Sequence, residues 1–275
     1  MATQSDLPPA IYIGHGSPTT VLERKQYYHD LQKFSGEHKD VSAIVVVSAH
    51  WQQYLPVQIT SSELPGVIYD FYGFPDELYE LEYNSPGNPE LAQKIAIELK
   101  KNNIDSVLNP NQGLDHGAWV PLKIMFPEEK IPVIQVSLPV PRDSKYLFNL
   151  GTILNQFRKE NILFMGSGNL VHNIPYAMRQ MQLGRVNIFS DNNKTDEWAK
   201  ETDEWLKNKL DSYDIESLLH SPSLAPNYKI AAPTTEHFDP LYFVLGVMEP
   251  SESVSYIHEG FQGGSFSMRS FTSEL

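Results

Sequence analysis

Three of the nine histidines follow short apolar runs. They are His15 in Gly14-His15-Gly16-Ser17-Pro18, His50 in Ser48-Ala49-His50-Trp51, and His172, six residues beyond Gly166. A neutral imidazole offers one in-plane lone pair and suits divalent iron, zinc and related ions. A lone histidine after a strand is more often a hydrogen-bonded loop residue than a ligand. Three arriving at one rim of a sheet are harder to assign to chance. Gly14 and Gly16 let the backbone beside His15 turn sharply and approach a ligand closely, although ordinary turn chemistry also explains them. The chain has no cysteine, so disulfides and thiolate sites are excluded and any metal must take nitrogen and oxygen ligands.

Two further histidines have chemically suggestive neighbours. His116 lies in Asp115-His116-Gly117-Ala118-Trp119, which reads as a loop ahead of an apolar helix over 119–126. Asp115 there is as good a helix cap as a functional carboxylate. His116 itself is a candidate acid–base or substrate-binding group. His237 lies in Thr234-Thr235-Glu236-His237-Phe238-Asp239-Pro240, where either Glu236 or His237 offers a ligand atom, and the sequence leaves that choice open. His29, His38, His220 and His258 sit in charged helix, loop or tail contexts and receive no role. The glycine-rich stretch Gly166-Ser167-Gly168-Asn169 lacks the lysine and spacing of a phosphate loop.

These side chains need a scaffold. Four continuous apolar runs, at 10–13, 43–47, 131–136 and 161–165, predict strands buried on both faces, as in a parallel sheet. Helices are predicted around 20–34, 89–102 and 144–160, the last with Leu147, Leu150, Leu154 and Phe157 on one face. The acidic stretch 190–210 predicts a helix with Trp198, Ala199, Trp205 and Leu206 against the core. Another helix is expected over 236–248, opening at Thr234 or Thr235 as a cap, and one or two short strands at 254–257 and 265–269. The pattern predicts an α/β fold: one domain over 1–275 with a mostly parallel or mixed central sheet flanked by helices. Sites in such sheets gather at the carboxyl ends of the strands, where His15, His50 and His172 fall.

The formal charge of −13 argues against nonspecific binding to nucleic acid or anionic membrane. The polar start, Met1 to Pro9, lacks the regions of a signal peptide, and no apolar stretch approaches the roughly 20 residues of a membrane span. A cytoplasmic protein is expected.

Taken in order, the blocks Gly14–Pro18, Ser48–Trp51, Tyr69-Asp70-Phe71-Tyr72-Gly73-Phe74-Pro75, Asp115–Trp119, Gly168–Asn173 and Thr235–Phe238, with the tail Gly264–Ser270, resemble the class III extradiol ring-cleavage dioxygenases. The likeness is to the DOPA-type branch of this LigB-like superfamily and spans nearly the whole chain. It implies a non-haem, metal-dependent dioxygenase that opens a catechol such as DOPA with O2. It further implies His15, His50 and His237 as metal ligands, and His172 as a further ligand or the acid–base histidine. His116 matches a second active-site histidine near the substrate. More distant members use two histidines and a glutamate. Fe(II) is the implied active metal, and Zn(II) is a competing occupant without redox chemistry.

A histidine near neutral pH can take a proton from the catechol and later return one, which makes His172 and His116 the catalytic candidates. Phe71 and Tyr72, in a cluster with Tyr69 and Phe74, are candidate walls of the substrate pocket, although aromatic residues in such loops also simply pack. Two rivals use the same residues. A zinc hydrolase would activate water, with Glu236 or Asp115 as base. A non-catalytic binding protein on this fold would need no intact ligand set. The choice of catechol, the bond cleaved and the oligomeric state are beyond the sequence.

Overall fold

A computed structural model describes residues 7–274; most of the polar start, read above for targeting, lies outside them. Ten strands run in chain order: β1 (Ala10–Gly14), β2 (Ala43–Tyr54), β3 (Val57–Thr60), β4 (Ser106–Asn109), β5 (Val133–Val140), β6 (Ile162–Gly168), β7 (Ser253–His258), β8 (Phe261–Gln262), β9 (Phe266–Ser267) and β10 (Ser270–Glu274). The helices are α1 (Gln26–Gly36), α2 (Asp76–Tyr79), α3 (Pro89–Lys101), α4 (His116–Met125), α5 (Ser144–Leu154), α6 (Ile174–Gln182), α7 (Glu197–Asp211), α8 (Ile215–Leu219), α9 (Ser221–Leu224), α10 (Tyr228–Ala231) and α11 (Pro240–Val247).

Eight strands form one mixed sheet in the order β4-β3-β5-β2-β6-β1-β10-β7, and β8 and β9 pair separately. The four central strands β5, β2, β6 and β1 are mutually parallel, and the four predicted apolar runs lie on them. The outer pairs join antiparallel, β3 on β5 and β10 on β1. Side chains alternate between two cores, as strand geometry requires. Ala10, Tyr12, Val45 and Phe164 face one side with α3, α5 and α11. Ile11, Ile13, Val46 and Met165 face the other with α1 and α4. Asn88 caps α3 by accepting from Leu91 N, and Asp143 caps α5 by accepting from Tyr146 N.

Several boundaries differ from those predicted. β2 continues through His50 to Tyr54, with a register shift between Val47 and Gln52, so His50 sits in an irregular stretch inside a strand rather than at its end. Such bulges re-aim side chains. The predicted helix from residue 20 is a 3-10 turn, Pro18–Val21, followed by α1, and that from 144 ends in 3-10 form over Asn155–Glu160. The helix expected from Glu236 starts at Pro240, and neither Thr234 nor Thr235 caps it. Proline fills the first helical position readily because the amide it lacks would be unpaired there. The segment Thr235–Asp239 is thereby freed to turn back toward the sheet. In α7, Ala199 and Leu206 pack inward as expected, but Asp203 is also buried, bonded to Arg269 and Ser267. Residues 265–269 hold only β9, and the main sheet gains β10 just beyond it.

α5 and α11 cross closely at Gly151 and Gly246. A Cβ on Gly246 would lie 1.9 Å from the Phe148 carbonyl oxygen, and one on Gly151 would lie 2.1 Å from that of Phe243. Neither backbone can yield without separating the helices. Gly246→Ala is therefore expected to lower unfolding free energy by about 3 kcal/mol in denaturant titration. Gly36→Ala, where nothing lies within 4 Å, should leave stability unchanged or raised; equal losses in both would contradict the packing account.

Candidate metal centre

Five histidines from separate parts of the chain meet at the carboxyl ends of the central strands. His15 follows β1, His50 lies in the irregular stretch of β2, and His172 lies in the turn after β6. His116 is the first residue of α4 rather than part of a loop before it, and His237 lies in the turn before α11. Ring centroids lie 5.1 Å apart for His15 and His50, 3.9 Å for His50 and His116, 5.4 Å for His15 and His237, and 4.8 Å for His50 and His237. Two donor groups are close enough to share an ion: His15, His50 and His116, and His172, Glu236 and His237.

Oxygen partners hold three rings from behind. His15 Nδ1 lies 3.0 Å from Ser167 Oγ, whose own proton goes to the Gly117 carbonyl at 2.5 Å. Ser167 must then accept from His15, which places the proton on Nδ1 and the lone pair on Nε2. His116 Nδ1 lies 3.0 Å from Asp70 Oδ1, and His237 Nδ1 lies 3.1 Å from Glu236 Oε1. Ionised carboxylates only accept, so these rings also carry the proton on Nδ1. Burial works to raise both carboxyls, but hydrogen bonds outweigh it: those from the His116 ring and backbone hold Asp70 below the usual range, and His237 helps take Glu236 down to about 2.

Burial, reinforced by neighbouring imidazoles, pushes His15, His50 and His172 well below the ordinary histidine range. His237 is lowered too, again by burial first, with Glu236 pulling the other way. Neutral rings with inward Nε2 lone pairs are what a divalent ion requires. His15 Nε2 and His50 Nε2 face each other at 3.1 Å. Two lone pairs at that separation repel unless a proton or cation lies between them. It also falls within the roughly 3.0–3.4 Å expected of two imidazoles sharing an ion at about 2.0–2.1 Å each. The donor set therefore fits a nitrogen-ligated divalent metal.

His172 differs from the others. It stacks on His237 with centroids 3.5 Å apart and planes 14° from parallel, so the in-plane lone pairs of these two rings do not converge on one point. Its ring takes no hydrogen bond among the described residues.

Asp115 accepts from Ala118 N at the start of α4, and also from Ser48 Oγ at 2.6 Å and from Gln135 Nε2. Burial raises its pKa. Gly117 is required beside it, because a Cβ there would lie 2.4 Å from Ser48 Oγ and 2.9 Å from His50 Cδ2. Phe71 stands edge-on to His116 at 5.6 Å and packs on Trp119, as a wall of the site would. Tyr72 is not brought there: it is 92% exposed, beside Gly73, whose φ of 76° turns the loop outward. Sequence reasoning assigned nothing to Asp70, Ser48 or Ser167. Only Asp70 had a visible signal, as the one acid in the aromatic block 69–75.

The family model described as the catalytic LigB subunit of aromatic ring-opening dioxygenase matches residues 8–265. A 4,5-DOPA dioxygenase extradiol from Beta vulgaris is 33% identical, with 98% of each chain covered. Its namesake from Escherichia coli K12 is 34% identical over 95% of this chain and 93% of its own. The crystal structure of an uncharacterised protein from Escherichia coli K12 superposes with a TM-score of 0.78 at 32% identity, covering 96% of this chain and 99% of that one. With five histidines gathered at one sheet rim and a family match spanning nearly its full length, this chain belongs to the LigB family of class III extradiol dioxygenases, enzymes that open aromatic rings.

Proposed function

We propose that the protein opens the ring of a catechol such as DOPA with O2 on a single ferrous ion held by His15, His50 and His237, and that residues 1–275 act as one catalytic unit. The relatives named for DOPA support the substrate, and family membership supports an aromatic substrate, dioxygen and a metal. The convergence of His15 and His50 Nε2 at 3.1 Å supports those two ligands; His237, whose ring lies within 5.4 Å of both, is taken as the third on the family resemblance, while His116, equally near, is committed to Asp70 and assigned to proton handling. What divalent iron supplies when bound is open coordination positions and a redox change that lets triplet oxygen react with a singlet catechol.

The stacking of His172 on His237 favours acid–base work over ligation for His172. Free of any hydrogen bond that would choose its tautomer, its ring can accept a catechol proton on one nitrogen and later return it. His116, its Nδ1–H held by Asp70, keeps Nε2 as an acceptor for the proton of a substrate hydroxyl. Phe71 walls the ring-binding space, and Tyr72 is set aside as a contact. The hydrolytic alternative named Glu236 or Asp115 as base, and neither carboxylate is free for it: Asp115 is committed to Ser48 and Gln135, and Glu236 to His237.

Anaerobic loading of the metal-free protein with Fe(II), followed by DOPA in aerated buffer, is expected to give oxygen uptake and a yellow product. Zinc loading should give none, and His15→Ala should lose at least about 100-fold of the iron-dependent rate, as expected when a first ligand is removed. Uptake that ignores the metal, or survives His15→Ala, would overturn the proposal.

Neutral, buried histidines also set a pH dependence. Each is harder to protonate folded than unfolded, so the unfolded chain binds more protons once pH falls below about 6.5. Stability is therefore full above that pH and declines as pH falls toward the depressed folded values, by up to about 1.4 kcal/mol per unit for each such group. The Tm of metal-free protein should drop between about pH 7 and 5.5, and His172→Ala should make the drop shallower. A flat wild-type profile would show that the rings are not held neutral.

A further inference from the structure

We infer that Asp70 is a positioning residue that holds His116 in its Nδ1–H form and directs its Nε2 into the histidine cluster. The inference rests on the proposed role of His116 as a proton-handling group. Asp70 Oδ1 receives two hydrogen bonds from that one residue, from the backbone N–H at 2.9 Å and from ring Nδ1 at 3.0 Å. A side chain gripped at both its root and its ring cannot rotate without breaking a charge-assisted bond. The backbone bond serves α4 as well, since the first amides of a helix lack internal partners. Two carboxylates thus divide the first turn, Asp115 taking Ala118 N and Asp70 taking His116 N.

The other oxygen, Oδ2, lies 3.6 Å from His50 Nδ1, too far for a good hydrogen bond but close enough to favour a proton on that nitrogen. Phe71, the next residue, stands edge-on to His116, so one loop supplies both the restraint on the imidazole and the aromatic wall beside it. A carboxylate used only as a helix cap would need neither the ring contact nor this placement between two imidazoles.

The test compares wild type with Asp70→Ala and Asp70→Asn. Two-bond proton–nitrogen NMR of the metal-free proteins near pH 7.5, with the His116 signals identified by their loss in His116→Ala, reads the tautomer directly. Wild type should show His116 with the proton on Nδ1. Asp70→Ala should show a mixture, and Asp70→Asn, whose amide oxygen can still accept both bonds, should restore most of the wild-type pattern. With iron and DOPA, Asp70→Ala should lose about 10–100-fold in kcat while KM stays within about three-fold, with partial recovery in Asp70→Asn. An unchanged His116 pattern in Asp70→Ala, or a fall in Tm with kcat unaltered, would overturn the inference. Absence of ring opening in wild type would instead overturn the proposed function, and the NMR comparison would still decide the part played by Asp70.

Discussion

Two imidazole nitrogens facing each other at 3.1 Å define the constraint around which this molecule is organised. Such a contact is favourable only with a cation or a proton between the two nitrogens, and the fold must hold the rings at that separation. It does so from outside, by binding the far nitrogens. Ser167 receives the His15 proton and is oriented by the Gly117 carbonyl, while Asp70 and Glu236 receive those of His116 and His237. Burial keeps His15, His50, His172 and His237 uncharged. Neutral imidazoles, three of them oriented by outer partners, form a site suited to a divalent metal.

The sheet explains why these rings can meet. Parallel β1, β2 and β6 end at one rim, and each delivers a histidine there or shortly after it. The other two arrive on helix starts: α4 opens with His116, and the turn ahead of α11 carries His237. Backbone contact at this rim is close enough to require glycine. A Cβ on Gly168 would lie 2.0 Å from the His237 carbonyl oxygen, and one on Gly117 would press on His50 and Ser48. The close packing that buries the cluster therefore also sets its spacing.

The central architecture was legible because four strands buried on both faces read as unbroken apolar runs, whatever their partners. Their ends located His15 and His172, and composition already restricted any metal to nitrogen and oxygen donors. The short strands β3 and β4, at one side of the sheet, escaped notice because four residues carry too little period to distinguish them from loop. Asp70 was unassigned for another reason. Its bond to His116 spans 46 residues, and no local pattern encodes a contact that only the folded sheet creates. His172 was already an acid–base candidate from sequence, but the argument against its ligation needed a ring-plane angle, which sequence does not contain. Phe71 and Tyr72 share a motif, yet Phe71 lies beside His116 and Tyr72 is exposed, a difference that local composition does not encode.

The central claim is that one ion binds through His15, His50 and His237, with His172 outside the ligand set. X-ray absorption spectroscopy of the anaerobic ferrous protein, with its His237→Ala and His172→Ala variants, tests this most directly. The account predicts one iron per chain with three imidazole nitrogens, one fewer after His237→Ala and no change after His172→Ala. Loss of a nitrogen in His172→Ala with His237→Ala unaltered would contradict it.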